Sequence, residues 1–179
     1  MLTSTGSKAY HKPDKKTRIN SGNRERDEAL VISTRGRYGL RAMFEIAKAY
    51  GEGTLSIKQI AAAQGLSEQY LEQIFAKLKA AGLVESTRGA GGGYSLRKAP
   101  TEITVGQVLV ALEGELSPAE CVGEDATECK NACVCTTHVI WQRIYDGFNN
   151  VIHSITLQDM LDDYNRMGEA RPDAKDVKC

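Results

Sequence analysis

No stretch of this 179-residue chain is apolar for the length a bilayer crossing needs, and residues 1–28 hold no apolar core of the kind a secretory leader carries. A cytoplasmic protein with no membrane partner is expected, in a compartment where thiols stay reduced. No internal repeat is present. No nucleophile–base pair or paired carboxylates stand out, so an enzyme is not expected. A glycine-rich stretch runs from Gly89 to Gly93, but no Gly-Lys-Ser/Thr follows, which argues against a phosphate-binding loop. Net charge is also absent, with 23 Lys and Arg against 23 Asp and Glu.

That balance hides a strong asymmetry. From Ser33 to Lys98 there are ten Lys or Arg against five acids, and from Glu113 to Glu128 there are six acids and no base. A basic working face and an acidic loop follow. Residues 1–31 carry seven Lys or Arg against four acids and no periodicity. They read as a disordered tail, with a basic arm on a DNA backbone as the sharper alternative. The apolar content of 41% supplies the core of one ordinary domain with appendages.

What the chain does hold is periodic. Ser33 to Tyr50 reads as a helix with an apolar stripe of Leu40, Met43, Phe44, Ile46 and Ala47, ended by Gly51 and Gly53. Ser56 caps a second helix that stops at Gly65, and Ser67 caps a third, striped by Leu71, Ile74, Phe75 and Leu78 and closed by Gly82. Two helices joined by a tight glycine turn resemble a helix-turn-helix. Leu83–Ser86 and Gly93–Arg97 are extended candidates around a Gly-rich hairpin loop, which adds a wing. Thr104 caps a further helix, Thr136 is the expected cap of a long one through about His153, and Thr156 with Asp159 precedes a short last helix. His153 is expected on the surface of the long helix, without a role. The fold class expected is mainly α with a small β wing: a winged helix-turn-helix plus a long dimerisation helix.

The third helix is the candidate recognition helix. Its first turns present Ser67, Glu68, Gln69, Tyr70, Glu72 and Gln73, types that reach base edges while the stripe faces inward. A carboxylate such as Glu72 also repels phosphate and acts against wrong sequences. In the wing, Arg88 precedes Gly89-Ala90-Gly91-Gly92-Gly93, a backbone free to approach phosphate, with the arginine placed for a narrow minor groove.

Between the helix capped by Thr104 and the long helix lies a dense thiol run. Cys121, Cys129, Cys133 and Cys135 fall within fifteen residues, followed by His138. Soft thiolates with an imidazole suit an iron–sulfur cluster or a Cys3His zinc site, and the bland alternative is thiols with no metal. Cys179 ends the chain and reads as a free thiol.

The segments I-S-T-R-G-R-Y-G-L-R-A-M, L-S-E-Q-Y-L-E-Q-I-F-A-K-L-K-A-A-G-L-V and S-T-R-G-A-G-G-G-Y-S-L together resemble the IscR-type family of bacterial winged-helix regulators. Its branches include IscR, NsrR, RirA and the clusterless CymR, and the likeness runs from about Val31 to Tyr164, nearest to IscR. The resemblance implies a homodimer on double-stranded palindromic operator DNA, with the long helix crossing its partner. It implies backbone anchoring by Arg35, Arg37 and Tyr38, major-groove contacts from Ser67, Tyr70, Glu72 and Gln73, and a wing of Arg88, Gly91, Gly92 and Gly93. It further implies a [2Fe–2S] cluster on Cys121, Cys129, Cys135 and His138, with Cys133 as an alternative ligand. In the IscR branch the spacing is Cys-x5-Cys-x5-Cys-x2-His; here Cys129, Cys135 and His138 match it, while the first interval is two residues longer. In the NsrR branch an Asp of the first helix ligates across the dimer; Arg37 at that position does not. The expected organisation is a tail (1–31), a winged helix-turn-helix (32–100), a connecting helix (101–113), a ligand loop (114–135), a dimerisation helix with a short last helix (136–166) and a flexible tail (167–179). The expected function is a cluster-responsive repressor of iron–sulfur assembly or related genes. The alternatives are a clusterless regulator of cysteine metabolism and a zinc-stabilised DNA-binding module.

Overall fold

A computed structural model describes residues 32–170, apart from 90, 125 and 127–131. The expectations for residues 1–31, Cys129 and Cys179 lie outside the described residues. Ser33 caps the first helix, α1 (Thr34–Lys48), its hydroxyl accepting the Arg35 amide at 3.0 Å. Ser56 and Gln59 form a reciprocal capping box at α2 (Ile57–Gln64), satisfying amide groups that a helix start leaves free. Gly65 then adopts φ +65°, a left-handed turn open to glycine, and redirects the chain into α3 (Glu68–Ala80), capped by Ser67.

The core forms where the helical stripes meet. Leu71, Ile74, Phe75 and Leu78 of α3 are fully buried in one cluster with Met43, Ile46 and Ile60. Each such side chain stabilises the fold by about 1.5–3 kcal/mol. Phe75 also stacks on Tyr94 with ring centroids 4.5 Å apart. Tyr94 belongs to the wing, in which β1 (Val84–Thr87) pairs antiparallel with β2 (Gly93–Leu96), Val84 opposite Leu96. Leu55 joins as an extra rung: its amide donates to Tyr94 O at 3.0 Å, and the Tyr94 amide donates back at 2.8 Å. A single bridging residue has no periodicity, so this rung is not legible in the sequence. A Cβ on Gly93 would stand 2.4 Å from the Leu55 carbonyl oxygen, so the rung depends on glycine there.

A 3-10 turn (Pro100–Glu102) leads to α4 (Val105–Glu113), capped by Thr104 and Gln107. α4 lies close on α1: a Cβ on Gly39 would come within 2.0 Å of Leu112 Cδ1. After a second 3-10 turn (Ala132–Val134), α5 (Thr136–Ser154) runs for 19 residues. The expected cap shifts by one: Cys135, not Thr136, holds the N-cap position, because Thr136 already has helical geometry. Of α5's residues only Ile152 is buried, while Val139, Ile140, Ile144 and Val151 stay 39–57% exposed.

The last helix, α6 (Leu157–Ala170), is longer than expected and takes in Gly168, which falls in the tail expected over 167–179. One glycine costs a helix about 1 kcal/mol and does not end it. Its start is fixed by the Thr156–Asp159 bonds and by backbone pairing of Leu157 N with Ile103 O at 2.9 Å. Leu157 is fully buried, and Tyr164 meets Phe44 edge-on at 5.5 Å. Among the described residues, no helix is long and apolar enough to cross a membrane.

Candidate functional site

The polar end of α3 is divided between structure and solvent. The Ser67 hydroxyl is engaged as the cap, accepting the Tyr70 amide at 3.3 Å. Tyr70 is half-buried and meets Tyr38 of α1 edge-on at 6.2 Å, with Arg41 lying 5.7 Å from the Tyr38 ring. Glu68, Gln69, Glu72 and Gln73 are exposed, as side chains aimed at base edges must be. A chain of polar bonds that the sequence did not suggest ties α1 to α2. Arg41 Nε donates to Gln64 Oε1, and Gln64 Nε2 donates to Glu45 Oε1, each at 2.6 Å.

The wing tip is tightly turned. The Gly92 amide donates to Gly89 O at 2.9 Å, and a Cβ on Gly92 would meet Thr87 O at 2.4 Å. Thr54 Oγ1, a residue the sequence reading passed over, donates to Gly91 O at 2.8 Å. Arg88 stands exposed beside this turn, and Lys79 of α3 donates to Ser86 Oγ at 2.5 Å, fixing the wing against the candidate recognition helix.

Of the first-helix candidates, Arg37 is exposed and bonds Thr34 Oγ1 at 3.2 Å. Arg35 is drawn toward α4, its guanidinium 3.7 Å from Glu113, while its Nε is buried and unpartnered among the described residues. Glu113 also accepts the Ser33 hydroxyl at 2.5 Å, and the Leu112 carbonyl next to it accepts from Lys77 of α3 at 3.1 Å. The last turn of α4 therefore holds both α1 and α3 at the point where the cysteine loop begins. No sequence signal marks Glu113, whose partner Ser33 lies 80 residues away.

In the loop, Cys121 and Cys135 are half-buried and Cys133 is exposed; all three are free thiols. Cys135 Sγ lies 3.1 Å from Thr137 Oγ1, and that hydroxyl, with the His138 amide, lowers the thiol's pKa from its ordinary value. His138 sits in the first turn of α5, with Nδ1 buried and unpartnered among the described residues. A buried nitrogen without a partner is unusual and suits a metal-binding role. Thiolates and an imidazole are the donor types an iron–sulfur or zinc site takes, so these residues fit such a group in kind. Among the described residues no three such side chains converge as a ready-made site. Glu115 accepts the Tyr145 hydroxyl at 2.6 Å and the Glu124 amide, and this carboxylate pushes the Tyr145 phenol up to about 12. His153 stacks over Gly106 of α4, where a Cβ would meet its ring at 2.7 Å.

The Rrf2 family, described as iron-dependent transcriptional regulators, matches residues 32–163. The chain belongs to the Rrf2 family. It is 47% identical over 131 residues to the HTH-type transcriptional regulator CymR of Bacillus subtilis (strain 168), covering 73% of this chain and 89% of that protein. It is 33% identical over 149 residues to the HTH-type transcriptional regulator IscR of Pectobacterium carotovorum subsp. carotovorum (strain PC1), covering 83% and 90%. The solved structure of T. potens IscR superposes with a TM-score of 0.62 at 42% identity, over 75% of this chain and 88% of that one. The Rrf2 assignment makes this a winged-helix transcriptional regulator and not an enzyme. Both CymR and IscR stand among its relatives, so membership alone leaves the sensing chemistry open.

Proposed function

We propose that this Rrf2 protein is a cytoplasmic, homodimeric repressor whose hold on palindromic operator DNA follows a [2Fe–2S] cluster carried by the cysteine loop. The observation that carries the reading is the buried, unpartnered Nδ1 of His138, one turn from a Cys135 thiol whose pKa is lowered. Cys121, Cys129, Cys135 and His138 are the holding set, with Cys133 as the alternative. A bound cluster supplies ligation that is labile to redox state and pH, because its imidazole ligand is neutral and can be protonated.

The chain's own residues give that lability a route to DNA. Ordering of the loop acts on the end of α4, where Glu113 and Leu112 O hold Ser33, Arg35 and Lys77. α1 and α3 both feel a shift there, and so do the backbone anchors Arg35, Arg37 and Tyr38 and the base-facing Glu72 and Gln73. The exposed apolar face of α5 is the surface a second copy covers, which spaces two recognition helices for two half-sites. Arg88 on the glycine wing enters the minor groove. This is a linkage mechanism: cluster and operator each bias the same two arrangements.

Anaerobic purification, followed by a visible spectrum and iron, sulfide and zinc assays, tests the cluster. Coloured protein with matched iron and sulfide is expected; a colourless protein with one zinc per chain would overturn the proposal. Glu72→Ala is expected to relax discrimination across a panel of operators, and an unchanged ranking would remove that role. The 47% identity with CymR supports a second reading, a clusterless regulator of cysteine metabolism. That reading expects tight operator binding from metal-free protein, with no change on cluster reconstitution.

A further inference from the structure

Glu115 opens the cysteine loop, just after Gly114 leaves α4 with φ +85°. Its Oε1 accepts two bonds, from the Tyr145 hydroxyl on α5 at 2.6 Å and from the backbone amide of Glu124. One carboxylate oxygen thus closes residues 115–124 into a ring and fastens that ring to a helix. Inside it, Leu116 and Val122 are buried, and the Ser117 hydroxyl lies 2.6 Å from the carbonyl oxygens of both Ala119 and Val122. Gly123 has φ +118°, and a Cβ there would stand 2.4 Å from Glu115 Oε1, so closure needs glycine twice over. Cys121 sits within this ring, next to Val122.

Tyr145 lies seven residues after His138 on α5, two turns along the same face. The fastening therefore brings Cys121's segment onto the helix face that carries the imidazole. Cys135 reaches that helix by chain connectivity alone, as its N-cap. Cys121 lies 15 residues before α5 begins and has no such tether of its own. We infer that Glu115 is a positioning residue: through Tyr145 and the Glu124 amide it sets Cys121 in place against α5 before any cluster is bound. The clasp itself follows from the fold; its use in assembling a cluster rests on the function proposed above.

The test uses the full-length, reduced, chelator-treated protein, alkylated anaerobically with N-ethylmaleimide and read cysteine by cysteine by mass spectrometry. Cys121 is expected to react several-fold more slowly than exposed Cys133. Glu115→Ala and Tyr145→Phe should each raise the Cys121 rate several-fold and leave Cys133 unchanged. Glu115→Gln, which keeps a carbonyl oxygen to accept both bonds, should retain most of the protection. Circular dichroism and urea midpoints identify folded variants, and Tyr145→Phe, which removes one hydroxyl, serves if Glu115→Ala does not fold. Unchanged Cys121 rates in folded Tyr145→Phe would overturn the clasp. If wild-type protein purified anaerobically holds no iron before chelation, while its Cys121 protection after chelation still depends on Glu115, the clasp stands and the cluster reading falls. If that protein holds iron before chelation and its Cys121 protection shows no such dependence, the clasp alone falls.

Discussion

α3 and α5 carry the same kind of apolar stripe and meet opposite fates. Leu71, Ile74, Phe75 and Leu78 on α3 are fully buried, whereas on α5 Ile140, Ile144 and Val151 stay 39–57% exposed and only Ile152 is covered. α3 finds its partners, α1, α2 and α4, within its own chain. α5 packs on α4 near its C-terminal end, through Ile152 and Phe148, but among the described residues most of its stripe stays open, although side chains of this size each gain about 1.5–3 kcal/mol on full burial. A stripe fully covered inside one chain serves stability; a stripe left open on a 19-residue helix is available for the association proposed above, and the cysteine loop lies at that helix's start.

The contrast can be broken from either side. Phe75→Ala should have the largest effect, a loss of about 3–5 kcal/mol in urea denaturation, since its ring is fully buried and stacked on Tyr94. A loss below 1 kcal/mol would deny α3 its place at the centre of the core. Glu113→Ala should cost about 1–3 kcal/mol by the same measurement, because it strips a charged partner from Ser33 and Arg35. It should also narrow the difference in operator affinity between metal-loaded and metal-free protein.

Ile144→Asp with Val151→Asp should leave monomer stability nearly unchanged while light scattering falls from a dimer's mass to a monomer's. A dimer that survives both charges would place association elsewhere than on α5. The smallest effect sharpens the loop. The Thr137 hydroxyl and His138 amide favour the Cys135 thiolate, so its alkylation should accelerate at a pH below that of an ordinary thiol. Thr137→Ala should move that inflection upward, and no movement would remove the hydroxyl as the cause.

Local signals were legible wherever one residue does a local job. Ser56, Ser67 and Thr104 cap the helices they were expected to cap, and the Gly65 turn falls between α2 and α3. The cap of α5 was misread by one residue, since Thr is the more usual capping type and Cys135 was read only as a ligand. The expected end of α6 falls short because the polar stretch from 167 onward resembles a flexible tail. Of the six acids from Glu113 to Glu128, which the sequence marks only as an acidic loop, Glu113 and Glu115 each hold bonds to residues 30 or more positions away. Arg35 was expected at a DNA backbone, and its pairing with Glu113 could not be read from spacing.

The sequence by itself determined the helix-turn-helix with its wing, the amphipathic stripes and the thiol-rich donor set. Those depend on periodicity, capping chemistry and ligand type, which are properties of neighbouring residues. Only the tertiary structure decided which stripe is covered and which is left open. It alone also tied the loop to α5 through Glu115 and the loop's start to α1 and α3 through Glu113 and Leu112. Those are pairings between distant residues, and only the packing of helices against one another brings such groups within bonding distance.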